Sequence, residues 1–281
     1  MSWLSKMVRS RIRKPVAPKW GQVFDLSKKR LLSLDGFNLY IMPDDYVGSG
    51  IQNSKVHEPH VTNVIRRTLS EGDTFLDVGA NIGYFSMLAS PLVGKTGRVL
   101  AFEPSPQNQQ LIMSSILENS DNIKLFPFAV SDTATIFKMM NAGSNGVVVS
   151  NSSKSQDFSF YAQSVILDEL LKDETRIDLI KIDIEAHEPF ALKGTEKLLN
   201  RLKPKIITEF HPWAMRQFNT EAPEEYLHYL FGLDYGVSII LEGGDLKSVN
   251  NAEDIMEHYR ALNNETANLD LYAEPISKIH Q

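Results

Sequence analysis

The stretch Leu76-Asp77-Val78-Gly79-Ala80-Asn81-Ile82-Gly83-Tyr84-Phe85-Ser86 reads as a buried strand, a glycine-bearing turn and the start of a helix. The next acidic residue, Glu103, stands 20 residues beyond Gly83, directly after the apolar run Val99-Leu100-Ala101-Phe102. A nucleoside-binding βαβ unit has this layout. Its glycines let the backbone approach the ligand, a helix N-terminus points into the site, and a carboxylate on the second strand takes ribose hydroxyls. The bland alternative is an ordinary strand-turn-helix with Asp77 as a helix cap.

The spacing narrows the ligand. A dinucleotide fingerprint runs G-x-G-x-x-G, whereas this turn runs Gly79-x-x-x-Gly83 with Asp77 at the strand end. A pyrophosphate would meet an acid there. A cofactor with a cationic amine and a sulfonium would find Asp77 attractive, and S-adenosyl-L-methionine (SAM) is such a cofactor.

The 281 residues suffice for one large α/β domain or two small ones. Hydrophobic residues make up 42%, enough for a sizeable core, yet no apolar run approaches the ~18–20 residues of a membrane span. No cysteine is present, which excludes disulfides and thiolate metal sites. The N-terminus begins basic but lacks the apolar core of a secretory signal, so a cytoplasmic protein is expected.

Charge is uneven. Residues 1–30 hold nine Lys and Arg against one acid, a balance of +8; the rest holds 20 basic against 34 acidic residues, a balance of −14. An acidic body argues against a nucleic-acid partner, because phosphate contacts need clustered Lys and Arg. Three regions are expected: a basic, flexible arm over 1–20, an extension over 21–57 packed on the main domain, and a main domain over 58–281.

Within that domain strands and helices alternate. Strands are predicted at Thr74–Val78, Arg98–Phe102, Ile123–Pro127, Leu179–Ile184 and Lys205–Glu209, with later ones at Val237–Leu241 and Leu269–Ala273. Helices fall between them, and a loose alternation over Leu31–Met42 suggests a short hairpin upstream. The pattern predicts a doubly wound, mainly parallel α/β sheet with ligands at the strand C-termini. The polar segment Asn141–Gln163 interrupts it, with few helix or strand signals, and reads as a binding loop or a floppy insertion. Its Asn145, Asn151 and Gln156 would suit a hydroxyl-rich ligand.

Six pieces, in order, resemble the FkbM-type SAM-dependent methyltransferases. They are Phe75 through Tyr84, Phe102-Glu103-Pro104, Ala129-Val130-Ser131-Asp132, Leu167-Asp168-Glu169, Asp178 through Glu185, and Glu209-Phe210-His211-Pro212. The resemblance covers roughly residues 45–215. It implies a class I methyltransferase fold, Rossmann-like, with a seven-stranded sheet that ends in an antiparallel strand. It also implies O-methylation of hydroxyls on sugars or other small metabolites. One position departs: the family usually has Gly after the Asp-x-Glu of the fourth strand, and here Ala186 stands there.

On that footing, Asp77 and the turn Gly79, Ala80, Asn81, Gly83, with Tyr84, are expected to hold the methionine part of SAM. Glu103, beside Pro104, takes the ribose hydroxyls, and Ser131 and Asp132 recognise adenine. Glu58 is expected near the cofactor amine, or else is a helix-start carboxylate. Asp183, His187, Glu209 and His211 are the candidate catalytic residues, and either histidine could be the general base. Asp183, Glu209 and His211 could also offer ligands to a divalent ion. Carboxylates at these strand ends also occur without one, so no metal is assigned.

The expected partner is a small-molecule hydroxyl acceptor or a glycan, with no nucleic acid. No oligomeric state is read. A nicotinamide-dependent oxidoreductase would need G-x-G-x-x-G and often Tyr-x-x-x-Lys, and the chain has neither. A non-catalytic SAM-binding protein would keep the turn but lose the ionisable cluster at 183–188 and 209–211.

Overall fold

The computed structural model describes residues 23–149, 159–218 and 222–276. The basic arm expected over 1–20 lies outside the described residues, as do Asn151 and Gln156. A short 3-10 turn, Leu26–Lys28, leads into an antiparallel hairpin of β1 (Arg30–Ser33) and β2 (Asn38–Ile41). Helices α1 (Tyr46–Ser54) and α2 (Pro59–Thr68) follow. The alternating body comprises β3 (Thr74–Val78), α3 (Tyr84–Val93), β4 (Arg98–Phe102), α4 (Pro106–Ile116), β5 (Ile123–Phe126) and β6 (Ala129–Val130). Then come β7 (Ile136–Ala142), β8 (Asn145–Val149), β9 (Ser159–Val165), α5 (Leu167–Leu170), β10 (Leu179–Ile182), α6 (Glu188–Lys193) and α7 (Glu196–Leu202). The chain closes with β11 (Lys205–Phe210), α8 (Pro212–Phe218), α9 (Pro223–Phe231), β12 (Tyr235–Ile240), β13 (Leu246–Val249), α10 (Ala252–Ala261) and β14 (Leu269–Pro275).

The main sheet has eight strands in the order β13-β12-β14-β11-β10-β3-β4-β5. Strands β5, β4, β3, β10 and β11 are mutually parallel; β14 runs antiparallel between β11 and β12. The expected parallel sheet closed by an antiparallel strand is therefore present. It carries one strand more than seven, because the chain after β12 turns back as β13 at the edge.

Both faces of the sheet are covered, which is why its strands read as near-continuous apolar runs. Side chains alternate across it. Leu76, Val78, Leu100, Phe102, Ile180 and Ile182 enter one core, while Phe75, Val99, Ala101 and Leu179 enter the other. The second core is completed by Phe37, Leu39 and Ile41 of the N-terminal hairpin. Asp77 and Lys181 sit in register on this same face, as buried charges among hydrocarbon.

The stretch after residue 135, which includes the polar segment Asn141–Gln163, differs most from the sequence reading. Strands β7 and β8 pair as a hairpin around Gly143-Ser144, and β9 joins β7 antiparallel and β6 parallel in a four-stranded sheet. Asn, Ser and Gly depress strand propensity, but the two-residue Gly-Ser link is itself a hairpin signal. Asp45, which caps α1 through the amides of Val47 and Gly48, also accepts from the amide and hydroxyl of Ser144 at 2.9 Å each. That buried clip ties the hairpin to the N-terminal segment. Among the described residues no helix is long and apolar enough to cross a membrane.

Candidate active site

A cleft of about 900 Å³ opens at the C-terminal ends of β3, β4, β10 and β11. Of the residues expected in a site, Glu58, Gly79, Ala80, Asn81, Tyr84, Glu103, Pro104, Asp183, His187, Glu209 and His211 line it. Asp77, Gly83, Ser131 and Asp132 do not.

The turn after β3 is fixed from below. The amides of Gly79 and Ala80 both donate to the carbonyl of Phe102, at 3.0 Å each. Gly79, Asn81 and Gly83 all have left-handed backbones, with φ of +84°, +52° and +90°. Glycine takes this conformation without steric cost, and asparagine is among the few other residues that tolerate it. Asp77 lies beneath the turn. Its Oδ2 accepts from Ser86 Oγ at 2.5 Å, its Oδ1 has no partner, and burial pushes its carboxyl up.

Glu103 lines the wall next to the turn. Its carboxylate accepts from the amides of Asn81 and Ser105 at 2.8 Å each, and from Asn108 Nδ2 at 3.2 Å. Burial pushes this acid up to about 8, against those hydrogen bonds. Phe102, Phe128, Ala129 and Val130 form the adjoining apolar wall. Ser131 and Asp132 lie behind it: Ser131 Oγ meets His187 Nε2 at 3.0 Å and reaches Asp132 at 3.2 Å.

On the opposite side, His57 and Glu58 come from the start of α2, where Glu58 has a left-handed φ of +40°. His57 Nε2 and Glu58 Oε1 are 3.3 Å apart. Burial, and then Lys181, pull His57 down to about 4, while burial pushes Glu58 up to about 8. Lys181 is the principal residue without an assigned role in the sequence reading. Its Nζ pairs with Asp183 Oδ2 at 2.6 Å and sits 4.7 Å from the Phe85 ring centroid. Burial works to lower it, but Asp183, Glu58 and Asp77 together raise it. A lone lysine inside the apolar strand Leu179–Ile182 was the available signal, since lysine is almost never fully buried unless paired.

The far end of the cleft is acidic. After β10 the backbone turns through two left-handed residues, Glu185 (φ +56°) and Ala186 (φ +74°), so the glycine usual in the family has a conformational reason. Burial and then Asp183 push Glu185 up to about 7; burial pushes Glu188 up to about 8 and Glu209 well above its ordinary range. His211 is lowered by burial, and its Nε2 has no hydrogen-bond partner. His187 is engaged by Ser131 and lies beside the rings of Phe137 and Phe190. The β7–β8 hairpin supplies Met139, Ser144, Asn145 and Val148 to the wall, and Asn145 Oδ1 accepts from Asn81 Nδ2 at 2.8 Å.

A parallel sheet of this strand order, with a glycine turn after its first strand and an acid after its second, defines a class I SAM-dependent methyltransferase. The Methyltransferase FkbM domain model matches residues 77–237, and the chain belongs to that family. No match is found among curated proteins. Among solved structures, the methyltransferase FkbM from Methylobacillus flagellatus KT is 16% identical, with a TM-score of 0.46 over 81% of this chain and 53% of that one. A precorrin-6y C5,15-methyltransferase from Geobacter metallireducens GS-15 is 14% identical, with a TM-score of 0.43 over 77% and 86%. A putative rRNA-methylase from Clostridium thermocellum is 14% identical, with a TM-score of 0.46 over 77% and 94%.

The residues present fit the cofactor. The turn from Gly79 to Asn81 lies along the cleft wall, Glu103 offers a pre-oriented acceptor for hydroxyls, and the unpartnered Glu58 Oε2 offers an acceptor for an ammonium group.

Proposed function

We propose that the chain methylates a hydroxyl group of a sugar or other small metabolite. The observation that carries this reading is the placement of Asp183 and His211 in the same cleft as the glycine turn, beyond its end. A hydroxyl is a poor nucleophile until its proton is taken, and two groups there can take it. One is the carboxylate of Asp183, paired to Lys181; the other is the unpartnered Nε2 of His211.

SAM supplies a methyl group on a sulfonium, whose departure leaves a neutral thioether. The chain's own part is to hold the ribose on Glu103, to exclude water with the β7–β8 wall, and to accept the proton. The cleft volume is at the upper end of the range for small-molecule sites, which suits a cofactor together with a compact acceptor. The balance of −14 beyond residue 30 supports an acceptor other than nucleic acid. In this reading residues 21–57 serve the 58–281 domain as an extension, since Tyr46, Val47 and Val56 reach the same cleft.

The test is S-adenosylhomocysteine release from SAM with a panel of mono- and oligosaccharides, hydroxy acids, thiols, amines and RNA. Turnover restricted to hydroxyl acceptors, and lost in Asp183→Asn while cofactor binding persists, is the expected result. Turnover on RNA or amines alone overturns it.

A further inference from the structure

Five ionisable side chains meet where β10 and β11 end, and proton removal needs only one of them. Glu185, Glu209 and His211 each bring a ligand atom into a group whose atoms lie within 4.8 Å of one another. Asp183 and Glu188 form a second such group with the same Glu209. Acid clusters are common without a ligand, but unpartnered buried atoms single this one out. Glu209 is 8% exposed; one carboxylate oxygen accepts from Asn268 Nδ2, and Oε2 has no partner. Glu188 has no exposed surface; Oε1 accepts from the Ile184 amide at 2.7 Å, and Oε2 has no partner. The His211 ring is hydrogen-bonded to the backbone of Thr266, while Nε2 has no partner.

Buried polar atoms without partners are costly, and here three lie in one cluster. Glu209 and His211, which share a group with Glu185, are also steadied from behind by a hydrogen bond, as metal ligands are, and so is the neighbouring Glu188. Among the described residues no Lys or Arg lies within ion-pair distance of Glu185, Glu188 or Glu209; Lys181 pairs with Asp183.

The geometry points to a divalent-cation site made by Glu185, Glu209 and His211 at the acceptor end of the cleft, with Asp183 and Glu188 beside it. Two carboxylates and one imidazole suit a first-row transition-metal ion such as Mn²⁺ or Fe²⁺ better than Mg²⁺, and three protein ligands leave coordination positions for water and acceptor oxygens. An imidazole lone pair among the donors favours a metal ion over an ammonium group. The inference rests on the hydroxyl-methylation reading and narrows it. Open coordination positions side by side would select an acceptor with two adjacent oxygens, as in a vicinal diol or an α-hydroxy acid. Coordination lowers the pKa of the bound hydroxyl. Its proton passes to the Asp183 carboxylate, the oxygen pair forms the new C–O bond, and the S–CH₃ bonding pair stays on sulfur as S-adenosylhomocysteine leaves. His211 then serves as a ligand and not as the base.

The experiment uses the full chain, stripped with EDTA and titrated with Mn²⁺ under electron paramagnetic resonance, without any acceptor. One Mn²⁺ per chain is expected, with a Kd below ~1 mM. Glu185→Gln and His211→Ala should each weaken it by about tenfold or more, as ligand loss does. His228→Gln, on α9 and outside the cleft lining, should leave it unchanged. S-adenosylhomocysteine binding, measured on every variant, reports folding and the cofactor half separately. Cofactor binding without Mn²⁺ binding overturns the cation site and leaves the methyltransferase class standing. Equal Mn²⁺ affinity in the ligand variants overturns it too, as does thermal stabilisation by glucosamine without any by Mn²⁺.

Discussion

Gly79 and Asp183 meet backbone to backbone across adjacent parallel strands. A Cβ built on Gly79 would fall 1.9 Å from the Asp183 carbonyl oxygen and 2.8 Å from the Ile184 side chain, at a φ of +84°. The turn after β3 and the loop after β10 are thus in van der Waals contact, and only hydrogen fits between them. Gly79→Ala combines overpacking with left-handed strain, together roughly 3 kcal/mol. For a domain of this size that lowers Tm by on the order of 10 °C. Because the displaced backbone carries Asp183, turnover should fall further than stability alone explains. Thermal melts and turnover measured well below the variant's Tm check this; an unchanged Tm contradicts the packing.

Glu103 is oriented by three donors, from Asn81, Ser105 and Asn108. Glu103→Gln keeps the volume but turns an amide NH₂ toward donors that need an acceptor. Leaving one such buried group unpaired costs ~1–3 kcal/mol. The same change removes one of the two acceptors available to a ribose diol. S-adenosylhomocysteine affinity should therefore drop about 10- to 100-fold. Calorimetric titration reads this directly, and a change under about threefold would mean that the ribose is held elsewhere.

His187 gives a pH signature. Burial pulls its pKa down to about 4 from the ordinary 6.5. The fold keeps it neutral, with its Nε2 on Ser131 Oγ. Between those two values the unfolded chain binds a proton that the folded chain does not. The stability contribution is therefore complete above about pH 6.5 and is lost as pH falls toward 4, at no more than about 1.4 kcal/mol per pH unit. His187→Gln should be less stable than the wild type near pH 7.5, and the gap should shrink steadily toward about pH 4.5. Urea melts of both proteins across that range decide it; a constant gap contradicts a buried neutral imidazole.

Much of this was legible in the sequence because the signals were local and repeated. Strands β3 and β4 are bounded as the apolar runs predict, since burial on both faces leaves only Thr74, Asp77 and Arg98 as polar residues within them. Spacing put the turn residues Gly79, Ala80 and Asn81, with Glu103, at the ends of neighbouring strands, where they line the cleft. Long-range relationships were not legible. Asn81 and Asn145 are 64 positions apart, and nothing in either neighbourhood announces their hydrogen bond. The β7–β8 hairpin was hidden by polar composition, although its β-branched Val147, Val148 and Val149 and its Gly143-Ser144 link carry the strand signal. Ser131 and Asp132 belong to a matched segment but face His187, because the preceding Ala129 and Val130 take the cleft wall. Sequence order places a residue at the end of a strand; which way it points depends on the neighbour that packs against it.

Ala186 is where the chain departs from its family, and the structure makes the departure measurable. An alanine at φ +74° bears left-handed strain of about 1–2 kcal/mol. Replacing it with glycine relieves this, but it removes a buried methyl group worth ~0.8 kcal/mol and adds roughly 0.5–1 kcal/mol of chain entropy. The terms nearly cancel, so Ala186→Gly should change stability by less than about 0.5 kcal/mol. The same substitution at Ala191, which is equally buried but lies within α6, has no strain to relieve and should cost about 1.5 kcal/mol. Paired urea denaturation of the two variants separates the cases. Equal destabilisation would show that Ala186 occupies its turn without strain, and the family's glycine would then need a reason in the acceptor and not in the backbone.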